Sequence, residues 1–257
     1  MSLIFVISQM AGGVTVTPSI PLIPMIVFSG ESNSGGFADN ADATVEELAA
    51  RPALQILNNT SLVFEDLDIG VNNLLGHSGL INNPGATTHG WELELANRAT
   101  LNEFSNPVYL VKTGQGGSTI SQWGESDTYY TNFKTRIDTA ITLRSITGTC
   151  PFALFYQQGI NDSIAGTATA TWKAATIAHF EKIRTRYGAD IPIIFGKLPA
   201  IYSTYNTAID ELVSVTSLCW SIETTDLGMK DANHYNYTGM KTMSDRMIDK
   251  LLENYTI

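Results

Sequence analysis

The chain has 257 residues, 44% of them hydrophobic and 16% charged, enough to bury one sizeable core, while no apolar run approaches the roughly 20 residues a bilayer span needs. A formal charge of −10 and a sequence pI near 4.8 argue against nucleic acid as a partner, because that affinity rests on clustered Lys and Arg displacing counterions. Two cysteines, Cys150 and Cys219, are too few for a disulfide scaffold or a four-ligand zinc site, and spacing does not show whether they pair.

Residues 1 to 22 open MSLIFVISQMAGG, where an apolar run of only about 7 residues without a basic start falls short of a clear signal peptide. They are expected to form a lead-in to a single domain over 23 to 257. PMIVF at 24 to 28 is the first near-continuous apolar run, the pattern of a strand buried on both faces. A helix is expected near 44 to 57, an edge strand in SLVFEDLDI at 61 to 69, a turn-rich loop in NNPGATTHG at 82 to 90 and a helix near 90 to 104. Strands follow in VYLVK at 108 to 112, FALFY at 152 to 156, IPIIF at 191 to 195 and CWSIE at 219 to 223. Helices are expected between them near 129 to 146, 171 to 187 and 205 to 217. In the last helix Met240, Met243, Met247, Ile248, Leu251 and Leu252 recur at helical spacing.

Alternating strands and helices imply right-handed crossovers and a three-layer α/β domain around a parallel sheet of about five strands. In such sheets ligands bind beyond the carboxyl ends of the strands, so each loop after a strand is a place for chemistry.

The first of these loops reads Gly30-Glu31-Ser32-Asn33-Ser34-Gly35-Gly36. A serine at a sharp strand-to-helix turn exposes its hydroxyl at the sheet edge, which suits an acyl-transfer nucleophile. Ser34 stands where G-x-S-x-G would place its second glycine, so this is no α/β-hydrolase elbow. An ordinary Gly/Ser/Asn turn would look the same. After VYLVK, Gly114-Gln115-Gly116-Gly117-Ser118-Thr119 offers backbone N–H groups to a carbonyl oxygen, and it lacks the Lys-[Ser/Thr] of a phosphate loop. After FALFY, Gln157-Gln158-Gly159-Ile160-Asn161-Asp162 could supply an amide to a developing oxyanion or be a plain Asn-Asp turn. Near the end, Asp231-Ala232-Asn233-His234 has the spacing for a carboxylate to hold an imidazole Nδ1–H and leave Nε2 free for a serine proton. That spacing arises by chance about one time in five in such a chain. The weight lies in four such loops following four separate strands in one order.

Gly30-x-Ser32-Asn33, Gly117, Gly159-x-Asn161-Asp162 and Asp231-x-x-His234 resemble the four blocks of the SGNH (GDSL-like) hydrolases. The G-x-S-N form, Gly116-Gly117-Ser118-Thr119-Ile120 with Trp123 beyond, and Gln158 before Gly159 are similar to the carbohydrate esterases that include sialate O-acetylesterases and acetylxylan esterases. The resemblance implies a flavodoxin-like α/β/α fold and a triad of Ser32, His234 and Asp231. It also implies an oxyanion hole from the N–H groups of Ser32 and Gly117 with a side-chain amide. That branch usually reads Q-G-E-S-D where this chain has Gln158-Gly159-Ile160-Asn161-Asp162, which leaves Asn161, the preferred donor, and Gln158 as alternatives.

The expected chemistry is hydrolysis of O-acetyl esters on a carbohydrate, with no cofactor. The alternatives are a lipase or thioesterase for longer acyl chains and a carbohydrate-binding domain without catalysis. His77, His89 and His179 are left without a catalytic role, and no spacing suggests a metal. Trp91, Trp123, Tyr129 and Tyr130 are first candidates for the core, with Trp123 the one that could line a sugar cleft. A bacterial polysaccharide-active enzyme and a domain of a viral tail fibre fit by analogy alone, so extracellular, periplasmic or virion-associated action stays open. Oligomeric state is not legible.

Overall fold

Residues 25 to 71, 87 to 101, 103 to 104 and 107 to 254 are described by a computed structural model; the expected lead-in and His77 lie outside them. The described elements begin with β1 (Ile26–Gly30), α1 (Ser32–Gly35), β2 (Ala38–Asp39), α2 (Val45–Leu48), β3 (Arg51–Leu57), β4 (Phe64–Leu67), β5 (Thr88–His89) and α3 (Glu92–Thr100). They continue through β6 (Val108–Lys112), α4 (Thr128–Arg144), β7 (Ala153–Gln157), α5 (Ile160–Ile164) and α6 (Thr169–Tyr187). The chain then forms β8 (Ile193–Gly196), α7 (Ser203–Val215), β9 (Cys219–Ile222) and α8 (Tyr237–Asn254).

The main sheet runs β4-β3-β6-β1-β7-β8-β9, parallel throughout except for the β3–β4 pair. Because side chains alternate across a strand, β1 sends Ile26 and Phe28 into the core under α3 and α8, where Trp91, Leu95, Met243 and Met247 meet them. Val27 points the other way, with Leu154 and Tyr156, onto Phe133 and Ile137 of α4, Phe180 of α6 and Leu212 of α7. Both faces of the sheet are covered, which is why its strands read as unbroken apolar runs.

The sheet has seven strands rather than about five, and the difference is the β3–β4 hairpin. The helix expected near 44 to 57 stops at Leu48, after one turn closed by the reciprocal Thr44–Glu47 capping box. Pro52 is the reason: a proline inside a helix removes a donor and clashes with the preceding turn. Here it falls where the β3–β4 register shifts between Arg51 and Gln55, a bulge that tolerates a missing N–H. Leu54, Gln55 and Ile56 then pair with Val108, Tyr109 and Leu110. The expected edge strand is observed as β4.

Topology places the site. β1 lies between β6 and β7, so the chain leaves it toward one side of the sheet and later crosses to the other. The carboxyl end of β1 is therefore the switch point where such sheets open a crevice.

Candidate active site

Gly30 ends β1 at φ +120°, and a Cβ there would sit 1.9 Å from the Gln157 carbonyl oxygen, so the turn into α1 requires glycine. The Glu31 N–H donates to that same oxygen at 2.8 Å, stitching the turn to β7. Ser32 follows as the first residue of α1, 6% exposed. Beneath the turn, Lys112 Nζ donates to the Gly35 carbonyl at 2.7 Å and pairs with Glu92 Oε2 at 2.8 Å. Burial pulls the Lys112 ammonium below its ordinary range, and the Glu92 carboxylate opposes this.

After β9, the loop bearing His234 folds on Asp231. Oδ1 accepts the N–H groups of Asn233 and His234, each at 2.8 Å, while Oδ2 lies 2.8 Å from His234 Nδ1. Burial would raise the Asp231 carboxyl, but the bond from the His234 ring and the two backbone N–H groups outweigh it and hold it below the usual carboxylate range. His234 Nε2 is 3.0 Å from Ser32 Oγ, so a hydroxyl, an imidazole and a carboxylate stand in line across 202 residues of sequence. The Phe37 ring stacks on His234 with centroids 4.2 Å apart. Asn33 reaches the same loop, its Nδ2 donating to the Asn233 carbonyl at 3.0 Å and its Oδ1 accepting the Tyr235 N–H at 3.4 Å.

The loops after β6 and β7 complete the surroundings. Gly117 is exposed with φ +74°, a left-handed conformation that glycine adopts without steric cost. The loop is fixed by the Ser118 hydroxyl donating to the Gln115 carbonyl at 2.8 Å and by the Ile120 N–H donating to Asp162 Oδ2 at 2.8 Å. Asn161, half-buried in the first turn of α5, donates through Nδ2 to Glu31 Oε2. Gln158 is fully buried: its Oε1 accepts Trp172 Nε1 at 2.6 Å, and its Nε2 donates to Asp162 and to the Ser118 carbonyl.

The family model for carbohydrate esterases described as sialic acid-specific acetylesterases (SASA) matches residues 24–253. The chain belongs to the SASA family of carbohydrate esterases. Comparison with curated proteins gives no match. Among solved structures, this SASA-family esterase is similar to a protein from Arabidopsis thaliana, 17% identical with TM-score 0.70, over 92% of this chain and 100% of that one. It is also similar to a carbohydrate acetylesterase from Xanthomonas citri, 12% identical with TM-score 0.63, covering 90% of this chain and 56% of that one. At these identities the two structures support the fold alone.

Within the SASA-family domain, one expected binding residue is corrected. Trp123 is 1% exposed and packs on Tyr129 and His179, with its Nε1 donating to Ser118 Oγ at 3.1 Å. It holds the Gly117 loop from beneath and presents no face to a ligand. Trp91 and Tyr130 are buried. His179 is buried too, and burial pushes its imidazole down to about 3. His89 is buried with Nδ1 on Asn40 Oδ1 at 3.0 Å. Cys150 and Cys219 are both buried and free. Among the described residues no His, Cys, Asp and Glu cluster could hold a metal, and no helix is long and apolar enough to cross a membrane.

Sequence reading assigned no task to Glu31, Asn33 or Phe37. The signal for Glu31 was its place beside Ser32, Asn33 stood in the G-x-S-N form as well, and Phe37 carried none.

Proposed function

We propose that this carbohydrate esterase hydrolyses O-acetyl esters borne by a carbohydrate, through an acyl-enzyme formed on Ser32. The observation that carries the reading is the continuous path Ser32 Oγ, His234 Nε2, His234 Nδ1, Asp231 Oδ2, with links of 3.0 and 2.8 Å. Asp231 accepts from Nδ1–H, which fixes the tautomer with a free Nε2 lone pair. His234 takes the hydroxyl proton as Ser32 Oγ bonds to the ester carbonyl carbon. The tetrahedral oxyanion is met by the N–H groups of Ser32 and Gly117 and by Asn161 Nδ2. Asn161 is preferred to Gln158 because both ends of the Gln158 amide are already engaged within the protein.

Collapse of the intermediate expels the sugar alkoxide, which takes the proton from His234. Water then gives a proton to His234 and its oxygen to the acyl carbon, and Ser32 leaves with that proton as acetate departs. The reaction uses only the chain's own groups and water.

The test is acetate release from a panel of acetylated glycans beside p-nitrophenyl esters of increasing chain length. Ser32→Ala should abolish turnover with the fold intact by circular dichroism, and a phosphonate ester should label Ser32. Full activity in the Ser32→Ala variant rejects the nucleophile. A preference for chains of about eight carbons or more rejects the acetyl reading and favours a lipase-like enzyme.

A further inference from the structure

A carboxylate taken fully out of water needs partners, and a cation is the usual one. Glu31 is completely buried and, among the described residues, its partners are N–H groups instead. Its Oε1 accepts the Ile160 N–H at 2.7 Å, and its Oε2 accepts the Asn161 N–H at 3.1 Å and Asn161 Nδ2. All three donors come from one segment, 129 to 130 residues away along the chain. The residue that reaches them is joined by one peptide bond to Ser32. An ionised carboxylate only accepts, so it also decides which end of the Asn161 amide faces it: the nitrogen must, and the second Nδ2 hydrogen is left available.

We propose, on the basis of the esterase reading above, that Glu31 is the positioning residue for the oxyanion side of the site, fixing the Asn161 amide and the 160–161 peptides against the turn that carries Ser32. Glu31 touches no substrate in this role. It acts through Asn161, and the same short turn serves the histidine side through Asn33.

The device works only while the carboxyl is ionised, because a protonated carboxyl turns one oxygen into a donor facing N–H groups. Burial raises Glu31 to about 7, with the bonds from Asn161 and Ile160 opposing the rise and Asp162 adding to it. The other titratable groups that feel it are Asp162 on α5, Tyr156 on β7, Tyr202 in the loop after β8 and Tyr235 beside His234. The three tyrosines are all shifted upward, chiefly by burial, and stay neutral below pH 9, so Asp162 is the other carboxylate to be separated. Two groups must therefore lose protons for full activity: His234 to act as base, and Glu31 to hold Asn161.

The experiment measures kcat and KM for an acetyl ester from pH 5 to 9 in the intact protein and in Glu31→Gln, Asn161→Ala and the double variant. An amide at 31 keeps the shape but presents donors to donors. Glu31→Gln should lower kcat about 10- to 100-fold at pH 8, comparable to losing an oxyanion donor, with KM within about twofold. Its acid limb should fall with the slope of one proton where the native enzyme shows two. Adding Glu31→Gln to Asn161→Ala should cost nothing further, since both act on one donor.

Native kcat and pH profile in Glu31→Gln, or independent multiplication of the two losses, overturns the proposal. Should Glu31→Gln fail to fold, Asn161→Ala still decides. Its side-chain amide, the donor that Glu31 holds, is then gone, so the acid limb must fall with the slope of one proton, and a limb that keeps two overturns the proposal. Ser32→Ala run in parallel keeps the two readings apart: activity there rejects the esterase mechanism, whereas its loss beside an unaffected Glu31→Gln rejects the positioning role alone.

Discussion

Phe37 lies flat on His234, the ring centroids 4.2 Å apart and the planes 12° from parallel. Asp231 fixes one edge of the imidazole and Phe37 fixes one of its faces, so the direction of Nε2 toward Ser32 is set by both. Phe37→Ala removes the face contact and leaves every hydrogen bond in place. kcat for an acetyl ester should fall about tenfold with KM little changed, because near-attack geometry is lost before binding is. Phe37→Tyr should retain the native rate.

Asn33 bonds the peptide groups on both sides of His234, at 3.0 and 3.4 Å. Asn33→Ala leaves the Asn233 carbonyl and the Tyr235 N–H without these partners, a loss of about 1 to 3 kcal/mol on thermal unfolding. kcat should drop with it. Asn33→Asp replaces the donor to the Asn233 carbonyl with an acceptor and should be no better than alanine in the kinetic assay.

Stability and activity should respond to Glu31 with opposite signs. Its carboxyl is raised from 4.5 to about 7 in the fold, so between those values the folded state keeps a proton that the unfolded chain releases. The stabilising contribution is complete below pH 4.5 and is lost as pH rises through 7. At pH 8 the buried charge works against the fold by up to about 3 kcal/mol. The Tm of Glu31→Gln relative to the native protein should climb between pH 5 and 8 in a calorimetric series. A constant difference would show that the carboxyl is not raised.

Lys112 and Glu92 are 1% and 0% exposed and form a buried pair under α1. Lys112→Met strands the Glu92 carboxylate and frees the Gly35 carbonyl, so unfolding free energy should fall by about 3 to 5 kcal/mol. Lys112→Met with Glu92→Met should recover most of that in urea titrations, since an apolar pair of similar volume carries no desolvation cost. A double variant as unstable as the single one would place the effect in packing instead of charge.

The sequence by itself determined what is local or periodic. The apolar runs at 108 to 112 and 152 to 156 became β6 and β7 because two-sided burial leaves a continuous apolar signature. Helical spacing through Met240, Met243 and Met247 marked α8, and turn chemistry marked the loops that carry Ser32, Gly117, Asn161 and His234. Where local signals conflicted, reading failed or stayed open: apolar residues at helical spacing around Pro52 masked a strand, and Trp123, beside a candidate loop, could be core or lining until its burial was seen.

Tertiary structure alone decided which groups face each other. Only the folded sheet and its loops set Glu31 against Asn161, Asn33 against Tyr235 and Phe37 against His234. These contacts span 130 residues or more, a separation at which no periodicity survives. The nucleophile candidate could be named from its own loop, whereas the residues that hold its partners in place could be named only once the sheet had closed the distance.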